Sequence, residues 1–196
     1  MKTLLLAFTL LLTFAVCGYC YPDTYMGINI YGSEDQCSGM AKLSREERPN
    51  PNMTYYRSGN QKFGDKDIGS VYFGFNSKTG KFYSADFAVQ FFRHAKRSFP
   101  VKQKNGAYQF MGKTELADGY LQLFIEEFTK TYGDPKIETR ENTVNATKSV
   151  TTSYNWDLKK EALFVSINSS NINNGESIYI SVFLMNLANY PGQIQN

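Results

Sequence analysis

Apolar and polar residues alternate with a period of two in several separate stretches of this chain, and this constrains its fold more than any other feature. Such alternation turns one face of a strand toward a core and the other toward water. The clearest case is a pair of stretches, 68–76 and 81–92. In the first, Val71, Phe73 and Phe75 alternate; in the second, Tyr83, Ala85, Phe87, Val89 and Phe91 alternate against Ser84, Asp86 and Gln90. The SKTG connection between them ends in Gly80, which suits a short hairpin loop. Three later stretches show the same pattern: Val150 to Leu158, Leu163 to Ile167, and Ile178 to Leu184. The last is apolar on both faces and is expected in the sheet interior or under a helix. An early stretch, 25–31, reads as a further short strand with Met26, Ile28 and Ile30 on one face.

One segment breaks from period two to a helical period. Within 113–132, Ala117, Leu121, Phe124, Phe128 and Tyr132 fall three or four residues apart and form a single apolar stripe. Thr114 can cap its start, Gly133 takes the left-handed stop position, and Pro135 forbids continuation. A shorter helix is expected over 34–43, where Ser33 and Gln36 have capping-box spacing. The 44–52 segment reads as a loop because of Pro49 and Pro51, residues 93–112 read as irregular, and the 191–196 tail as flexible.

The N-terminus has a different character. Lys2 is followed by an apolar run from Leu4 to Val16 that stops at Gly18 and Tyr19. A secretory signal has this form, and a spanning helix needs about 20 apolar residues. Residues 1–18 are therefore expected to be a signal peptide cut after Gly18, with a cut after Cys20 second. An uncleaved anchor, or a lipid on Cys17 or Cys20, remains open. The mature chain is expected to be exported, periplasmic or secreted, with no transmembrane segment. Residues 19–190 are the size of one domain. With 14 Tyr and 15 Phe, the chain is rich enough in aromatics to bury a core. Basic and acidic residues number 21 and 18, a near-balance that argues against a nucleic-acid partner. Only Cys17, Cys20 and Cys37 are available as cysteines. Cleavage after Gly18 would leave Cys20 and Cys37 to form one disulfide in an oxidising compartment.

These elements suggest an α+β domain in which helices cover one antiparallel sheet in two layers, possibly as two halves of one helix and three strands. A helix ending in KTYGDP, followed by a strand carrying Trp156, adds to this layout. In architecture the layout resembles the helix-on-sheet modules of small bacterial envelope proteins, such as the outer-membrane assembly lipoproteins and the β-lactamase-inhibitor proteins. The resemblance implies a bacterial exported protein. The N-x-S/T sites at Asn52, Asn145 and Asn168 would then be chance; in a eukaryotic route they would be glycan acceptors.

Catalytic constellations are sparse. His94 is the sole histidine, which leaves little for a metal site or a Ser–His–Asp triad, and no G-x-S-x-G elbow occurs. Lys78-Thr79-Gly80 lacks the serine–lysine partner motif of penicillin-binding enzymes and reads as turn chemistry. Asp65 and Asp67 lack the further ligands of a calcium loop. Glu126 and Glu127 read as a solvated helix face, whereas Asp86 and Asp157 are the carboxylates that a cleft could use. No cofactor is implied. The reading that follows is a non-enzymatic exported module that binds a protein or an envelope component. The alternatives are a carboxylate-dependent hydrolase and a lipid-anchored structural protein. The candidate contact segment is RHAKRSFPVKQK, where Arg93, Lys96, Arg97, Lys102 and Lys104 surround Phe99 with no acidic residue, a composition suited to an anionic partner.

Overall fold

A computed structural model describes residues 23–44, 46–48, 50–91, 112–144, 146–173 and 176–192, together with the backbone of 99–102 and 108–111. The expected signal peptide, Cys20 and most of the expected tail lie outside the described residues.

The architecture is mainly β, which corrects the expected helix-on-sheet α+β class and the likeness to helix-on-sheet envelope modules. One antiparallel sheet of eight strands dominates. Its first half is a meander: β3 (Ala41–Lys42), β4 (Met53–Phe63), β5 (Lys66–Asn76) and β6 (Phe82–Phe91). Its second half is another: β9 (Lys136–Val144), β10 (Thr147–Leu158), β11 (Leu163–Ile172) and β12 (Ser177–Asn186). The two meanders meet through their last strands, so the order is β3-β4-β5-β6-β12-β11-β10-β9. Two small hairpins flank it: β1 (Thr24–Tyr25) with β2 (Ile28–Asn29), and β7 (Phe99–Lys102) with β8 (Tyr108–Met111).

The two halves are not equivalent helix-plus-three-strand units. The second half carries a 20-residue helix, α1 (Lys113–Tyr132), whereas the expected helix over 34–43 is a single 3₁₀ turn at Glu34–Cys37. Gln36 explains the difference, because its side chain bridges backward instead of closing a capping box. Its Oε1 accepts from Asn29 N at 2.8 Å and its Nε2 donates to Ser33 O at 2.8 Å, while Ser33 makes no cap. The expected strand over 25–31 is also a tight hairpin, because Met26 and Gly27 both take positive φ (51° and 82°), the signature of a type I′ turn.

Two long strands of the main sheet escaped the alternation test for different reasons. In β4, Ser58 is buried and its Oγ accepts from Val71 N at 2.8 Å, across a register shift between Arg57 and Asn60. A polar residue thus occupies a core position where the ladder breaks. The edge strand β9 is exposed along almost its whole length and has no buried face to impose a pattern.

Core and helix agree with the expected stripe. Val71, Phe73, Phe75, Ala85, Phe87, Val165, Ile167, Ile180, Val182 and Leu184 form the buried face of the sheet. Helix α1 lays Phe124 and Phe128 on it. Phe124 makes edge-on contacts with Phe63 and Phe87, at centroid distances of 5.0 and 5.4 Å. Phe128 packs on Trp156 at 5.7 Å, and Trp156 Nε1 donates to Gly133 O at 2.6 Å. Gly133 turns at φ 82° and returns its N–H to Thr129 O, so the stop signal also supplies the carbonyl that anchors the buried indole. Among the described residues, no helix is long and apolar enough to cross a membrane.

Candidate functional site

The helix and the β1–β2 hairpin cover one face of the sheet. The period-two pattern places the alternate residues on the other face, and strand register sets their neighbours. Across the middle run Arg57, Tyr72, Asp86, Phe183, Ser166 and Asn155, each beside the next on the adjacent strand. Phe183 lies on the central strand β12 yet is 36% exposed, so this face is open at its centre.

At one side of Phe183, the loop before β4 lays Arg48 over the face. A local turn holds this loop, in which Ser44 N donates to Glu47 Oε2 and Arg48 N to Ser44 O. Arg48 Nη2 reaches Asp86 Oδ2 at 3.0 Å, and its guanidinium lies 4.5 Å from the Tyr72 ring centre and 5.4 Å from that of Tyr55. Burial pushes the Asp86 carboxyl above its ordinary value, and the Arg48 charge and hydrogen bond oppose that shift. Gly74 lets this cluster close. A Cβ there would lie 2.6 Å from Ser84 Oγ, 2.7 Å from Met53 Cε and 2.9 Å from Tyr55 Cε1.

On the other side of Phe183 a shallow groove of about 840 Å³ runs along β9 and β10. Lys136, Glu138 and Arg140 wall it at the sheet edge, Ser153, Asn155 and Asp157 form its floor, and Phe164 closes one end. Glu138 is paired with Lys136 at 2.7 Å and Arg140 at 3.1 Å, and these hydrogen bonds pull its carboxyl below the ordinary value.

The structure separates most of the expected site residues. Asp86 and Asp157 share the open face but stand three strands apart, about 14 Å at about 4.8 Å per strand. Two carboxylates that act on one glycosidic bond lie roughly 5–9.5 Å apart. Asp86 is tied to Arg48, and Asp157 sits 4.0 Å from Lys159. Asp65 and Asp67 pair loosely with Lys66 and Lys62 at the β4–β5 turn, and no His, Cys, Asp and Glu cluster suited to a metal occurs among the described residues. Lys78, Thr79 and Gly80 form the β5–β6 turn as expected, with Lys78 N and Thr79 N donating to Asn76 Oδ1 and Gly80 at φ 66°. Glu126 and Glu127 lie on the exposed side of α1, where Gln122 donates to Glu126.

Cys37 is a buried free thiol, and burial, with the Glu34 carboxylate beside it, pushes it up to about 11. Its expected partner Cys20 lies outside the described residues. So do Arg93, His94, Lys96, Arg97 and Lys104. Phe99 and Lys102 fall in β7 rather than in an irregular connection, paired in register with Met111 and Tyr108. Asn52 is exposed just before β4, and Asn168 lies mid-strand in β11, its Oδ1 accepting from Ser153 at 2.6 Å; Asn145 lies outside the described residues. Arg48, Tyr55 and Tyr72 escaped sequence reasoning. Arg48 sits in a polar, proline-bearing loop whose pattern carries no trace of its distant partner Asp86.

No protein-family model, curated protein or solved structure matches this chain.

Proposed function

We propose that this chain is an exported, non-enzymatic binding module that contacts a protein or cell-envelope component through the open face of its sheet. The observation that carries this reading is the exposure of Phe183 at the centre of an eight-stranded sheet. A strand in that position ordinarily buries both faces or turns a polar one to water. Here Tyr72, Phe183 and Met185 share the open face with the Arg48–Asp86 pair, the mixture of aromatic, Met and Arg side chains that marks interface cores. Among the described residues, Asp86 and Asp157, the two carboxylates that the sequence offered to a cleft, stand three strands apart.

The test is affinity capture from the source organism with the mature protein, run in parallel with Phe183→Ser and Ile137→Ser. Both residues are exposed hydrophobics, but Ile137 lies at the edge strand on the opposite face. A partner retained by wild type and Ile137→Ser and lost by Phe183→Ser supports the reading. Equal retention by all three overturns it.

A further inference from the structure

We propose that the groove along β9 and β10 is a binding site for a neutral oligosaccharide. The inference rests on the open face being the binding surface, and it names the ligand chemistry of one part of it. The groove is shallow, about 840 Å³, and floored by side chains whose hydrogen bonds are only half used. Ser166 Oγ donates to Asn155 Oδ1 at 2.8 Å, which fixes the amide and leaves its two Nδ2 hydrogens for an incoming acceptor. Ser153 Oγ donates to Asn168 Oδ1 at 2.6 Å, which leaves the Ser153 oxygen as an acceptor. An amide donor and a hydroxyl acceptor therefore sit two residues apart on one strand face.

The wall repeats the arrangement with charges. Glu138 lies between Lys136 and Arg140, which are 77% and 78% exposed, so both cations keep N–H groups free toward the groove. Glu138 keeps acceptor capacity as well. Each sugar hydroxyl both donates and accepts, so neighbouring hydroxyls are matched by neighbouring donors and acceptors. The carboxylates of Asp134, Glu138 and Asp157, all in the lining, offset the two cations, which disfavours an anionic polymer. Hydroxyl and amide groups line the floor, and Tyr132, Trp156, Leu158 and Phe164 add apolar surface to the lining. At one end, the half-buried ring of Phe164 offers an apolar surface for the C–H face of a sugar.

The test titrates the protein with maltohexaose, cellohexaose and hexameric N-acetylchitooligosaccharide by calorimetry and by the Asn side-chain amide resonances. Binding of at least one is expected, with the Asn155 amide among the shifted signals. Asn155→Ala, Glu138→Gln and Arg140→Ala are each expected to weaken it about tenfold or more. The Arg140 change, on an exposed side chain, keeps the test valid if Asn155→Ala fails to fold. Absence of binding by all three sugars, or binding unmoved by the variants, would overturn the proposal. Phe183→Ser separates the two readings. Partner capture lost with sugar binding intact upholds both, whereas capture that depends on Phe183 without any sugar binding overturns only the groove.

Discussion

Phe124→Ala tests the junction between helix and sheet. The ring is fully buried and wedged edge-on between Phe63 and Phe87, with Tyr120 at 6.1 Å. Loss of its transfer free energy costs about 1.5–3 kcal/mol. The neighbouring turns of α1, fixed by Tyr120 and Phe128, limit how far the backbone can collapse into the space, so a cavity cost is added and the total falls at about 3–5 kcal/mol. The two edge-on ring contacts, worth about 0.5–1.5 kcal/mol each, place it in the upper half of that range. At about 2–4 °C per kcal/mol for a chain of this size, the melting temperature should fall by about 8–20 °C. Thermal unfolding followed by near-ultraviolet circular dichroism reads the change, with urea midpoints as a second measure. Phe124→Leu, which keeps most of the volume, should lose less than half as much. A fall of less than about 2 °C for Phe124→Ala would refute a closed core at this junction.

The remaining expectations concern the open face and the thiol. Arg48→Ala should destabilise the protein by about 1–2 kcal/mol, a figure discounted because the arginine is about one-third exposed, and Asp86→Asn with Arg48→Ala should recover part of it; urea denaturation of the double-mutant cycle checks this. Gly74→Ala should cost about 1–3 kcal/mol, since Ser84, Met53 and Tyr55 must move aside, and a melting temperature at or above wild type would exclude that crowding. Carbon-13 pH titration should find Asp86 above its ordinary value and Glu138 below its own. The raised group stabilises the fold at low pH and loses that contribution as pH rises through its folded value, whereas the depressed group loses its contribution as pH falls through its folded value; the reverse order of the two titrations would contradict both assignments. Cys37 should resist alkylation in the folded protein at pH 8 and react once it unfolds, and rapid labelling of the native state would show that the thiol is not buried.

Local periodicity made the best-patterned elements legible in the sequence alone. The 113–132 helix emerged with its stripe and its stop, because the apolar residues, Gly133 and Pro135 act within one or two turns of chain; the expected Thr114 cap does not form, since the helix starts from Gly112 with no side-chain cap. The β5–β6 hairpin and the β10 to β12 strands emerged because a buried face imposes alternation on the residues that form it. The 34–43 helix failed because a weak local preference yielded to the bridge that Gln36 makes to Asn29, seven residues back. Strand β9 was invisible because an exposed edge is free to be polar on both sides, and β4 because Ser58 satisfies the backbone at a break in the ladder. The joining of the two meanders through β6 and β12 is a contact between residues roughly a hundred positions apart, and no local pattern encodes it. That single pairing turned an expected helix-on-sheet domain into one broad sheet. It also placed Phe183 beside Asp86, with Arg48 arriving from a loop 38 residues before its partner, so the sequence determined which residues face outward and only the tertiary structure decided which of them meet.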